Sequence, residues 1–135
     1  MKDVVGEGIM PYTDSGGNEY VRVKMDGEDF CIAARDYTEG EKEYFTWNEA
    51  IQIMDDIGTV LPTKNQMELC IKHLSWVNHK LNEIGGNTFN RDWYWTSTEY
   101  DTDAKRAWFY KGEHEEVGNG YKFDTLRVRP VLNMK

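Results

Sequence analysis

Two helix-start signals follow one another in the middle of this chain, and they narrow its folding options more than any other feature. Thr46-Trp47-Asn48-Glu49 and Thr63-Lys64-Asn65-Gln66 each place Glu or Gln three residues after a threonine. In that spacing the hydroxyl accepts from a first-turn amide and the longer side chain reaches back to the cap. Behind the first box, Trp47, Ala50, Ile51 and Met54 recur at helical spacing, and Gly58 supplies a stop, so a helix is predicted over 46–57. Behind the second, Met67, Cys70, Ile71, Leu74, Val77, Leu81 and Ile84 mark one face of a single long helix over 63–84, closed by Gly85-Gly86.

On both sides of this helical block the pattern is that of strands. Val21, Val23 and Met25 alternate, Asp26-Gly27 follows, and Phe30-Cys31-Ile32-Ala33 continues beyond it, a strong hairpin signal. After residue 87, stretches 93–98, 107–110 and 126–132 read as strands, with Pro130 at an edge or strand end. In the last stretch Leu126 and Val128 face away from Arg127 and Arg129. Segments 99–106 and 112–120 read as polar loops. Residues 1–18, with Gly6, Gly8, Gly16 and Gly17, read as loop or edge structure, an N-terminal extension within one domain spanning 1–135. Strands, then helices, then strands indicate an α+β fold and not a βαβ repeat.

Composition excludes several functions. A length of 135 residues allows a single core, and a net charge of −8 argues against nucleic acid as the main partner. The acidity belongs to residues 1–62, which carry 14 acids and 5 bases; the remainder is close to neutral. No apolar run approaches the roughly 18 residues needed to cross a bilayer. Met1-Lys2-Asp3-Val4-Val5-Gly6-Glu7 has no apolar stretch behind its lysine, so it does not read as a secretory signal, and a virion, the cytoplasm or export by other means all fit. Cys31 and Cys70 read as small buried hydrophobes, with one disulfide as the alternative.

Ten of the 18 aromatic residues crowd into residues 87–123, about twice an even share. If only one face of an alternating strand is core, some of these rings point outward, where they provide large contact area at low entropic cost. Catalytic constellations are missing by contrast. His73, His79 and His114 form no metal-binding spacing, and no nucleophile elbow or phosphate-cradling glycine loop occurs. Residues 113–116 read as a solvated charged loop. Glu99, Asp101 and Asp103 alternate in one loop, with Asp92 nearby, as oxygen ligands around Ca²⁺ do; the Gly and terminal Glu of an EF-hand loop are lacking, and a plain polar loop is the alternative.

Several short motifs then occur in a telling order: Leu61-Pro62-Thr63 before Glu68-Leu69, Tyr94-Trp95-Thr96-Ser97-Thr98-Glu99-Tyr100, Ala107-Trp108-Phe109-Tyr110-Lys111-Gly112, and Val128-Arg129-Pro130-Val131. Over roughly 60–135 the chain resembles the C-type-lectin-like domains of bacteria and phages. That group includes uncharacterised gut-bacterial domains, the C-terminal domain of a collagen-like adhesin, and the variable proteins of diversity-generating retroelements. The resemblance implies short, mostly antiparallel strands, two flanking helices, a loop-rich ligand region, and pairing of 20–25 with 126–131 as terminal strands. It also implies that ligand contacts fall at Tyr100, Asp101, Asp103, Lys105, Arg106, Tyr110, His114, Asn119 and Tyr121, to which the aromatic crowd adds Trp93. Tyr100, Tyr110 and Tyr121 are the expected anchors. The sugar-binding EPN, QPD and WND motifs of animal C-type lectins are absent, and the related formylglycine-generating enzymes carry a late cysteine pair, whereas no cysteine follows Tyr94. The expectation is therefore a non-catalytic module, without a resident cofactor, that recognises a protein or glycan at a phage or cell surface. An oxidase relative and a virion component that oligomerises through 1–18 are the alternatives.

Overall fold

The computed structural model describes residues 8–89 and 91–134. Strands β1 (Ile9–Thr13), β2 (Glu19–Met25), β3 (Glu28–Ala33) and β7 (Val131–Asn133) form one sheet in the order β1-β2-β3-β7. Strands β4 (Trp93–Glu99), β5 (Arg106–Lys111) and β6 (Glu116–Tyr121) form a second. Pairing is antiparallel throughout both sheets. Helices α1 (Trp47–Ile57), α2 (Lys64–Lys72) and α3 (Leu74–Glu83) lie between them in sequence, which makes the architecture α+β. No helix among the described residues is long and apolar enough to cross a membrane.

The local signals act as their chemistry dictates. Asp26 and Gly27 have φ of 53° and 80°, the two positive values that a tight hairpin turn needs to match the strand twist. Both capping boxes close: the Thr46 hydroxyl accepts from the Glu49 amide at 3.3 Å and the Thr63 hydroxyl from the Gln66 amide at 3.0 Å. Gly58 ends α1 in the left-handed region at φ 77°.

Three expectations change. The single helix over 63–84 is two helices, interrupted at His73 with φ −120° and ψ 34°. A straight helix of that length would run about 30 Å; the break lets α2 pack on β4, β5 and β6 while α3 packs on β1 and β2. Segment 126–131 does not pair with 20–25. The Asp26-Gly27 turn gives one side of β2 to β3, β1 takes the other, and the C-terminal strand pairs instead with β3, Ile32 opposite Val131. Finally, 112–120 is not all loop. Its glycines hide β6, in which Gly118 and Gly120 face Phe109 and Ala107 across the ladder. A Cβ on Gly120 would sit 2.6 Å from the Phe109 ring, so this strand needs glycine where the partner strand carries a large ring.

The aromatic crowding has a direct structural cause. The second sheet is buried on both faces near its centre. Tyr94 and Tyr110 face a core with Val21, Val23, Phe30, Ile32, Met67, Val77 and Leu81. Trp95, Ala107 and Phe109 face another with Phe45, Trp47, Met54, Leu61 and Val128. The indole nitrogens of this second core are satisfied by backbone: Trp95 donates to the Phe45 carbonyl at 2.8 Å and Trp47 to the Thr96 carbonyl at 2.9 Å.

Between the two cores runs segment 126–131, which pairs in turn with several neighbours. Leu126 exchanges hydrogen bonds with Phe45, Arg127 bonds both Trp93 and Trp95, the Val128 carbonyl accepts from Tyr37, and Val131 exchanges with Val60. Alternation sends Leu126 and Val128 into one core, so Arg127 and Arg129 point the other way. Arg129 is fully buried there. Its Nε donates to Asp36 Oδ1 at 2.9 Å, Nη1 to the Ala33 carbonyl at 3.1 Å and Nη2 to the Thr88 carbonyl at 3.2 Å. The guanidinium lies 4.8 Å from the centre of the Phe89 ring. Asp36 also accepts from the Tyr94 hydroxyl at 3.1 Å and from Arg127 at 3.4 Å.

A buried charge with this many partners is costly to remove, because Asp36 Oδ1 and the Ala33 and Thr88 carbonyls then lose this donor in a dry interior. Arg129→Met is expected to destabilise the protein by about 3–5 kcal/mol, measured by urea unfolding at neutral pH. Parent-like stability of that variant would contradict this role.

Candidate functional site

The outward side chains of the second sheet gather where β5 begins and β6 ends. Arg106 and Tyr121 are register partners, as are Trp108 and Asn119, so these four share one face. Arg106 donates through Nη1 to Asn119 Oδ1 at 3.0 Å and through Nη2 to the Tyr121 hydroxyl at 2.8 Å, and its Nε lies 3.4 Å from Asp103. Tyr100 packs against Trp108 with ring centres 5.3 Å apart, and Lys64, from the first turn of α2, sits 4.0 Å above the indole. Tyr121 stacks nearly parallel on Phe123 at 5.1 Å, and Phe123 is 72% exposed.

Two rings of this face, Trp108 and Tyr121, and the neighbouring Trp47 each carry a cation over the ring. Lys64 covers Trp108, Arg106 lies 4.4 Å from the centre of Tyr121, and Lys122 lies 4.2 Å from that of Trp47. Beside this row, Thr46, Asn48, Ala104, Lys105, Lys122 and Phe123 line a depression of about 470 Å³. Its walls are tied by backbone: the Trp47 amide donates to the Lys122 carbonyl at 3.0 Å and the Lys122 amide to the Lys105 carbonyl at 2.9 Å.

Of the expected contacts, the structure brings together Tyr100, Asp103, Arg106, Asn119 and Tyr121, with exposed Asp101 in the same turn and Lys105 at the adjoining depression. Tyr110 is a correction. At 1% exposure its ring packs with Tyr94 and Phe89 in the core, and burial pushes its hydroxyl up to about 12, so it anchors the sheet and not a ligand. Trp93 and His114 belong to the opposite end of the sheet, about 17 Å away along β5 at ~3.3 Å per residue. Trp93 stacks on Phe109 at 5.2 Å and donates to Glu113 at 3.2 Å, and exposed His114 lies 3.9 Å from the same carboxylate. Sequence reasoning missed Trp108, Phe123, Lys64 and Lys122. Trp108 alternates with buried Ala107 and Phe109, a signal that was legible; Lys64 arrives from a distant helix and left none.

The acidic loop does not assemble as a cation site. Glu99 pairs with Lys122 at 2.7 Å, Asp103 with Arg106 and the Lys105 amide, and Asp92 with Arg127 at 2.8 Å. Among the described residues no three acidic, histidine or cysteine side chains converge on one point. Both cysteines are free and buried, and burial pushes the Cys31 thiol up to about 11 and that of Cys70 to about 12. Compared with known protein families and with curated protein sequences, the chain has no match.

Asp92 links this half of the molecule to the buried ion network, accepting from the Tyr44 hydroxyl at 2.6 Å and from Arg127 Nε at 2.8 Å. Burial pushes its carboxyl up, but the bonds from Tyr44, Arg127 and the Trp93 amide outweigh burial and hold it below the ordinary carboxylate value. A depressed carboxylate stabilises the fold fully above its unfolded value, about pH 4, and that contribution is lost as pH falls through the lower folded value. Urea unfolding between neutral pH and pH 2.5 should therefore show a steeper acid loss for the parent than for Asp92→Asn. Parallel curves would refute this linkage.

Proposed function

We propose that this chain is a C-type-lectin-like domain that acts as a non-catalytic binding module at a phage or cell surface, recognising a protein or glycan through the face built by Tyr100, Asp103, Arg106, Trp108, Asn119 and Tyr121. The observation that carries the reading is the row of cation-capped rings ending in an exposed Phe123. Rings held by cross-strand partners are rigid, so they offer contact area without the ordering cost of flexible side chains. Asp101, Lys105 and the Arg106 guanidinium supply polar contacts around them. The ordered motifs Tyr94–Tyr100 and Val128–Val131 support the family reading, and the first of them bonds by backbone, at Trp95, to Arg127 just before the second. Deep burial of both thiols favours binding over oxidation, because an oxidase of the formylglycine-generating kind needs a reachable thiolate.

The test is a glycan and cell-binding array probed with the parent and with Tyr121→Ala. Removing a partly exposed ring at the centre of the face should weaken binding to the retained ligand by about tenfold or more while the unfolding midpoint stays near that of the parent. Undiminished binding by Tyr121→Ala would remove this face from the account.

A further inference from the structure

The depression beside the ring row has a chemistry of its own. It lies where three separate segments meet: the start of α1 through Thr46 and Asn48, the turn before β5 through Ala104 and Lys105, and the residues after β6 through Lys122 and Phe123. Two backbone hydrogen bonds, Trp47 to Lys122 and Lys122 to Lys105, fix these segments to one another, so the hollow is preformed. Its volume of about 470 Å³ lies in the range of small-molecule sites and suits one or two sugar rings.

The charges lining it are not equivalent. Lys122 is neutralised by Glu99 and held over Trp47. Asp103, the nearest acid to Lys105 in sequence, is turned to Arg106 at 3.4 Å and to the Lys105 backbone amide at 3.0 Å. Among the described residues the Lys105 ammonium has no ion-pair partner. The depression thus offers one cation without an ion-pair partner on a chain with a net charge of −8. Phe123, which also lines the depression, is 72% exposed, is backed by Tyr121 and turns a flat apolar surface towards solvent.

We propose that this depression binds an anionic saccharide, with the apolar face of a pyranose stacked on Phe123, the carboxylate or sulfate held by Lys105, and ring hydroxyls met by Asn48 and Thr46. The proposal rests on the binding reading above and names its ligand class. An acidic peptide is the less suitable occupant, because an aspartate or glutamate side chain has no flat apolar face to lay against Phe123.

The experiment uses the full chain on an array of uronate, sialoside and sulfated oligosaccharides, each beside its methyl-esterified or desulfated counterpart, with polyglutamate as the peptide probe. An anionic oligosaccharide should bind at least about tenfold more tightly than its neutral counterpart. Lys105→Gln should abolish that preference, Phe123→Ala should weaken binding about tenfold, and Phe123→Trp should retain it. Equal binding of charged and neutral forms overturns the anion assignment while leaving the binding module intact. Binding of polyglutamate that is indifferent to Phe123→Ala overturns the saccharide assignment. Anion-dependent binding unaffected by both Lys105→Gln and Phe123→Ala overturns the site. Absence of any anion-dependent saccharide binding overturns the proposal, and loss of binding to a protein or neutral glycan through Tyr121→Ala would show in the same assay that the broader reading survives.

Discussion

The Arg129 guanidinium sits in a dry interior, and the rest of the architecture is arranged to satisfy it. Its donors reach a carboxylate on Asp36 and carbonyls of Ala33 and Thr88, residues drawn from the end of β3 and from the stretch before β4. A fork with several fixed donors can only be satisfied if those segments hold one geometry, which ties the four-stranded sheet to the approach of the three-stranded one. Arg127 extends the same network outward through Asp36 to Asp92 and Tyr44. Burial works against the Arg127 charge, but its carboxylate partners outweigh that and hold it more firmly protonated than a free guanidinium.

That clamp explains how a three-stranded sheet with two glycines in one strand can stand between two cores. With the 126–131 segment fixed, Tyr94 and Tyr110 fill one side and Trp95 and Phe109 the other, and neither face is left for solvent near the centre. The end formed by Arg106, Trp108, Asn119 and Tyr121, with the adjoining 100–105 turn, presents side chains outward on that base. Surface and core roles are therefore divided along the strands themselves. Neighbouring residues of β5, such as Phe109 and Tyr110, serve the cores, while Arg106 at its start serves the surface.

Local chemistry was legible in the sequence wherever a short motif decides the outcome by itself. The Asp26-Gly27 hairpin, both capping boxes and the Gly58 stop needed no tertiary information. The misreadings all come from tertiary context. His73 breaks a periodicity that would suit one helix, because two sheets must be covered. β6 has the composition of a loop, because its glycines make room for Phe109. Arg129 alternates like a solvent-facing residue and is buried, because loops from elsewhere roof it over. Tyr110 failed as a ligand anchor for the same reason: one-sided burial was assumed for a strand that has core on both sides. Of the candidate face, the turn and its charged residues could be read from motif order, whereas the contributions of Lys64 and Lys122 depend on contacts between segments far apart in the chain.

If the Arg129 clamp organises both sheets, the backbone amides that cross to and from the 126–131 segment must open only when the whole molecule does. Hydrogen exchange followed by NMR measures this at the Tyr37, Phe45, Trp95, Arg127 and Val131 amides, each bonded across that segment. The account predicts that all five exchange at the slowest rate in the parent and that Arg129→Met accelerates them together. Five unequal rates in the parent, or a loss of protection in Arg129→Met confined to residues beside position 129, would contradict it.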